Sequence, residues 1–296
     1  MLLIGSLLAL LALVLAWPVP LLLARRPRTI DPVSRLVLWQ AVGLAGGLSL
    51  IGTAVVFAAA PLSGSLGDGL LEISDIAALS ARAWWQWLLL ALAALLLVRL
   101  LGSLLVQAAV VRRRRERHRT LIGVLTEPSD ELPNTRVLRS DSPVAYCLPG
   151  RSGTTVVSTG LLEVLTAEQR RAVVTHEQAH LDYHHDVLVL PFAAWNRALP
   201  FVPATSTALR AVSALSELMA DDRARGSVGA DSLAEAIGIG ERVHLGDRSS
   251  RLTAARRARL SRELPPTRRR VRALTLGAAG TLVLLPGLLL AAALLA

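Results

Sequence analysis

Four apolar stretches, at residues 2–23, 36–62, 84–111 and 273–296, decide most of what this chain can fold into. A helix rises about 1.5 Å per residue, so each stretch can cross about 30 Å of hydrocarbon. Lipid offers the backbone no hydrogen-bond partners, which makes helices the form expected of such runs. Composition agrees: 53% of the residues are hydrophobic and only 4% aromatic, too apolar for a soluble domain of this size. All 32 basic residues are arginine, which together with the excess of alanine and leucine reads as the codon bias of a high-GC bacterium.

The first stretch lacks a basic leader and a cleavage site, and Arg25, Arg26 and Arg28 follow it. It is expected to stay as an anchor, kinked or ended by Pro18 and Pro20. Arginines also gather at Arg35, at Arg112–Arg115, Arg117 and Arg119, and at Arg268–Arg270 and Arg272. The segment between the second and third stretches carries Asp68, Glu72 and Asp75 against Arg82. The positive-inside rule then puts every arginine cluster in the cytoplasm and both chain ends outside, with Trp84, Trp85 and Trp87 at the outer interface. The arginines abut the apolar stretches without interleaved aromatics, so they point to topology and anionic headgroups, and no nucleic-acid partner is expected. Arg99 lies in the middle of the third stretch. Either it is an intramembrane charge with a function, or that span ends early and its helix runs on into the cytoplasm.

Residues 176–180 read HEQAH. On a helix, positions i and i+4 share a face, so His176 and His180 can present two imidazole nitrogens to one metal ion. Glu177 is placed to act as general base on an attacking water. No Gly or Pro interrupts residues 167–190, which suits a helix carrying the motif. Catalytic zinc usually takes three protein ligands. Glu217, followed one helical turn later by Asp221, supplies the best candidate, on a helix expected over about 207–225. Asp221 is expected to accept a hydrogen bond from a ligand histidine and fix its tautomer. His184 and His185 are read as continuing the motif helix, either solvated or standing behind the ligands.

Before the motif, residues 136–139, 144–148 and 154–158 look like short strands, with 149–153 turning between the last two. Residues 154–158 are the candidate for an edge strand that pairs with extended substrate, or else a plain scaffold strand. Cys147, the only cysteine, allows no intrachain disulfide, and packing is its expected role. Residues 187–202 are apolar but broken by Pro191 and Pro200, and read as an interfacial or buried connector. Ser232 and Glu235 resemble a capping box that starts a helix.

The segments VVSTGLLEVL (156–165), AEQRRAVVTHEQAHLDYHHD (167–186) and SELMADDRA (216–224) resemble membrane-bound gluzincin metallopeptidases. The likeness is greatest to the β-lactam-sensing receptor protease family, which is related to the CAAX prenyl protease and heat-shock membrane protease family. The sequence ends after its fourth apolar stretch, without the penicillin-binding domain of the full receptor. The resemblance implies Zn2+ held by His176, His180 and Glu217, peptide-bond hydrolysis with Glu177 as base, and Asp221 behind a ligand. His244, Asn196, Arg223 and Tyr183 are the candidates for steadying the oxyanion.

The expected fold is a mainly α membrane protein with four transmembrane helices. Spans one to three occupy 1–111, a cytoplasmic α+β zincin-like domain with a small sheet occupies 112–271, and the fourth span occupies 272–296. The expected partners are the bilayer and a protein or peptide substrate. The alternative is a signal transducer that binds a cytoplasmic repressor-type protein with little cleavage. A transporter is disfavoured, because the spans lack paired polar residues.

Overall fold

The computed structural model describes residues 1–25, 31–59, 66, 83–149, 153–243, 250–262 and 269–295. Its helices are α1 (Leu2–Ala16), α2 (Pro18–Arg25), α3 (Pro32–Ala59), α4 (Trp84–Leu125), α5 (Thr159–Val164), α6 (Ala167–Asp182), α7 (His185–Ala198), α8 (Pro203–Val228), α9 (Ala230–Val243), α10 (Ser250–Leu260) and α11 (Arg269–Leu295). The strands are β1 (Thr126–Pro128), β2 (Thr135–Leu138), β3 (Ala145–Leu148) and β4 (Thr154–Ser158). Four helical segments are long and apolar enough to cross a membrane: Leu2–Ala24, Pro32–Ala59, Trp84–Leu125 and Arg269–Leu295. The first breaks at Trp17, just before Pro18, whose fixed ring geometry suits a helix start.

The chain divides into two compact units. One comprises Met1–Leu105, Pro191–Ala211 and Thr267–Ala296. Within it α1, α3 and α11 pack side by side around Leu8, Val56, Ala59 and Ala293. Small residues allow the close approach: Gly5 lies against the Phe57 ring, and a Cβ on Gly47 would stand 2.7 Å from the Trp195 ring. Ser103 of α4 donates to the Ala194 carbonyl of α7 at 2.9 Å. The segment expected to be a broken connector is thus largely helical, with Pro191 inside α7.

The other unit comprises Val106–Leu190 and Val212–Pro266. Its sheet has the order β1-β2-β4-β3. β4 pairs parallel to β2, with Val156 opposite Arg136, and antiparallel to β3, with Val156 opposite Tyr146. The edge-strand expectation for 154–158 is therefore corrected. β4 carries a run of buried residues because it lies between two neighbours, and the edges are β1 and β3. The three expected strands are present, the first shifted by one residue, the second starting one residue later and the third with the expected bounds, and β1 adds a fourth. Ser158 caps α5 by accepting from the Leu161 N–H. Gly160 follows at a point where a Cβ would collide with the Asp141 carbonyl oxygen, which explains a glycine at this strand-to-helix turn.

α6 starts with a capping box between Thr166 and Gln169 and packs on β3. Val157, Leu161, Leu165 and Val174 form the core beneath it. Ser232 and Glu235 do not cap α9, which begins two residues earlier at Ala230. They tie α9 to the start of α6 instead: Ser232 donates to Glu168 at 3.2 Å, and Gln169 donates to Glu235 at 2.8 Å.

Candidate metal centre

Four helical segments of the second unit converge on one cluster. α6 supplies His176, Glu177 and His180, and α8 supplies Glu217 and Asp221. His185 stands at the first position of α7, and α10 brings Arg256.

The helix carrying the motif ends earlier than the sequence suggests. Tyr183 closes it, and His184 takes φ of 52°, the left-handed conformation that stops helices. His184 and His185 are therefore not on the motif helix. The left-handed turn leaves His184 exposed and sends His185 back into the protein, where it is 3% exposed.

His176 Nε2 and His180 Nε2 lie 3.2 Å apart. Each is 3.5 Å from an oxygen of Glu217. Four ligands at zinc's usual bond lengths of 2.0–2.1 Å stand about 3.3–3.4 Å from one another, so each of these separations is close to that between two ligands of one zinc ion. One donor atom from each residue falls within 4.8 Å of the other two. Two neutral imidazoles also cannot aim lone pairs at each other at 3.2 Å without a shared cation or proton between them. The donor set, two histidines and a carboxylate, is one that zinc takes in hydrolytic sites.

The two histidines are backed differently. His176 Nδ1 lies 3.1 Å from Asp221 Oδ1, close enough for an ion pair but off the line of a hydrogen bond. Asp221 is 1% exposed. It accepts from Arg256 Nε at 2.8 Å and Nη2 at 2.7 Å, a bidentate pair. Arg256 Nη1 also reaches Glu217 Oε2 at 2.9 Å. Among the described residues no carboxylate pairs with His180 Nδ1. His185 Nδ1 stands 2.7 Å from His180 Nδ1, and the Nε2 of His185 is buried without a partner among the described residues.

These surroundings set the charges. Burial works against a proton on His176, but Asp221 and Glu217 outweigh it and hold its pKa up at about 9. Burial alone would raise the two carboxyls, yet each is held at about 2, Glu217 by His176 and Arg256, and Asp221 by Arg256 and His176. Burial lowers His180, and it lowers His185 to about 4. Burial raises Glu177, the direction that suits a general base. Cys147 lies on edge strand β3, and its thiol is pushed up to about 12, chiefly by burial and then by the negative charge of Glu177.

The structure thus brings together His176, Glu177, His180, Glu217 and Asp221. Arg256 escaped sequence reading, whereas His185 stands behind a ligand, one of the two places expected for it, but on α7 and not on the motif helix. Arg256 shares a helix face with the buried Thr253 and Leu260, a three- and four-residue spacing hidden among further arginines. Nothing in the sequence announces the left-handed His184 that turns His185 inward. Of the oxyanion candidates, His244 lies outside the described residues, Arg223 is exposed, Asn196 belongs to the first unit, and the Tyr183 ring packs 5.5 Å from that of His185.

Residues 108–214 match the family model described as Peptidase family M48. The matched stretch includes His176, Glu177 and His180, and ends just before Glu217 and Asp221. No curated protein and no solved structure matches the chain. The match supports a metal-dependent peptidase, and the four long apolar helices are compatible with a multi-pass membrane protein.

Proposed function

We propose that this chain is an integral-membrane, zinc-dependent endopeptidase acting on protein substrates, with a regulatory or signalling role. The observation that carries the reading is the convergence of His176, His180 and Glu217 within the span of one metal ion, with Glu177 beside them. His176, His180 and Glu217 hold the zinc, which when bound polarises the scissile carbonyl and makes water a usable nucleophile near neutral pH. Glu177 takes the proton of the attacking water at its carboxylate and delivers it to the leaving amide nitrogen. Its buried setting keeps that proton available for the second transfer.

Asp221 holds His176 so that Nε2 faces the metal, and His185 does the same for His180. Arg256 fixes Asp221 and Glu217 against each other without ligating. β3 is the edge strand whose Cys147 interacts electrostatically with the base Glu177, and its outer side offers main-chain pairing to an extended substrate. The likeness in motif to the β-lactam-sensing receptor proteases, and the arginine pattern, favour a cytoplasmic catalytic unit with both chain ends outside. No specific observation favours a transducer that binds a repressor-type partner without cleaving it.

The test is direct. In detergent, zinc content and cleavage of a casein-type substrate are measured for wild type, Glu177→Ala and Glu217→Ala. Glu177→Ala keeps its zinc and loses cleavage, whereas Glu217→Ala binds zinc about 10-fold more weakly or worse. Equal cleavage by all three ends the reading. A reporter fused after Glu116 reports a cytoplasmic location, and activity typical of the outer side reverses the orientation.

A further inference from the structure

α4 carries the chain's most conspicuous unpaired feature. Its first turns bear Trp84, Trp85 and Trp87, and its arginine run starts at Arg112. Aromatic belts and arginine runs mark the two interfaces of a span. The 24 residues between them rise about 36 Å, a little more than the hydrocarbon thickness and within reach of a tilted helix. Arg99 sits about 17 Å from one end of this segment and about 18 Å from the other.

Its surroundings give it no counter-charge. Arg99 is exposed on α4 and has no ion-pair partner among the described residues. None of the four apolar helical segments contains an Asp or Glu apart from Glu116 of α4, which lies beyond the arginine run. A second copy of the chain would therefore bring no carboxylate to that depth either.

The face around Arg99 is open to a neighbour. Leu88, Leu92, Leu95, Arg99, Gly102 and Val106 follow one another at intervals of three and four residues and form a single stripe. Leu88, Leu92, Leu95 and Val106 are all between 44% and 54% exposed. Among the described residues a Cβ at Gly102 would meet nothing within 4 Å, so none of them requires a glycine there. A glycine one turn from a buried-depth charge lets a second helix backbone come close enough to pair with it. An isolated cation at mid-membrane is costly and is usually matched by a partner.

We propose that this stripe of α4 is a docking surface for a transmembrane helix of another protein carrying an Asp or Glu at mid-membrane depth, which pairs with Arg99. The carboxylate supplies the charge complement, Gly102 the close approach, and the leucines the flanking contact.

The test uses full-length protein bearing a fluorescent fusion, in phosphatidylcholine vesicles at pH 8. The probe is a synthetic leucine-alanine transmembrane helix with one central Glu, compared with the same helix carrying Leu there. Energy transfer is expected to show the Glu helix binding about 10-fold more tightly than the Leu helix, as an added interhelical polar contact would give. Arg99→Leu should erase that preference. Gly102→Leu, whose Cβ meets none of the described residues, should weaken binding of the Glu helix several-fold with Arg99 intact. Equal binding of the two helices to wild type overturns the proposal and leaves Arg99 reaching for lipid phosphates. A Glu preference that survives Arg99→Leu, or binding indifferent to Gly102→Leu, overturns it as well.

Discussion

The two sides of the metal centre are built on different chemistry. Behind His176 lies a charged, hydrogen-bonded assembly from two helices, in which Asp221 is clamped by both arms of Arg256. Behind His180 lies a single neutral imidazole, that of His185. A buried carboxylate with a paired guanidinium is costly to disturb, because removing one partner strands the other charge. An imidazole that loses its neighbour leaves only an unfilled hydrogen bond. The first side therefore couples the metal site to the stability of the fold, while the second tunes one ligand.

The largest effect should come from the charged side. Asp221→Ala leaves Arg256 buried beside a histidine and a single carboxylate. It is expected to cost about 3–5 kcal/mol of folding stability and to weaken zinc binding by 10- to 100-fold. Denaturant unfolding and a competitive zinc titration measure the two losses separately. If His185→Ala lowers stability as much, the contrast between the two sides fails.

The pH dependence follows from the same side. His176 is held at about 9, above its ordinary value near 6.5. The stability it lends is full below about 6.5 and is lost as pH rises through about 9. Asp221 and Glu217 are held at about 2, so their contribution is present above about 4.5 and is lost as pH falls through about 2. Zinc must displace the proton on His176 to bind its Nε2. Apparent zinc affinity should therefore rise about 10-fold per pH unit toward pH 9 and then level off. An affinity flat between pH 6 and 8 would mean that His176 carries no proton there.

On the neutral side, His185→Ala should weaken zinc binding about 10-fold, at the low end of such effects, and leave most of the folding stability in place. His185→Asn, which keeps an acceptor near His180 Nδ1, should recover part of that loss. Complete insensitivity of zinc affinity to His185→Ala would remove it from the site.

The same contrast separates what the sequence discloses from what it hides. Helical periodicity places His176 with His180 and Glu217 with Asp221, because each pair is local to one helix. Apolar run length likewise marks the four long helices. The strand order was hidden, since the sequence of β4 suits an edge or a scaffold strand alike, and only the parallel pairing with β2 makes it an interior strand. Arg256 was hidden because α10 is rich in arginine, and only its tertiary docking distinguishes the one that meets Asp221. His185 depends on a single backbone rotation at His184, which a histidine adopts only where the surrounding fold imposes it.

Cys147 offers the smallest and most selective probe. Its thiol, on β3, acts on the Glu177 carboxylate. A donor to a carboxylate favours the charged form, so the thiol works against the burial that raises Glu177. Removing it in Cys147→Ala should raise Glu177 further. Glu177 must be ionised to take a proton from water, so activity falls as pH drops through its pKa. The acidic limb of the kcat/KM profile should accordingly move to higher pH by less than about one pH unit, with zinc content unchanged. Cys147→Ser, which keeps a donor, should leave the limb near its wild-type position. A shift of equal size in both variants would trace the effect to packing of β3 against α6 instead of to the thiol proton.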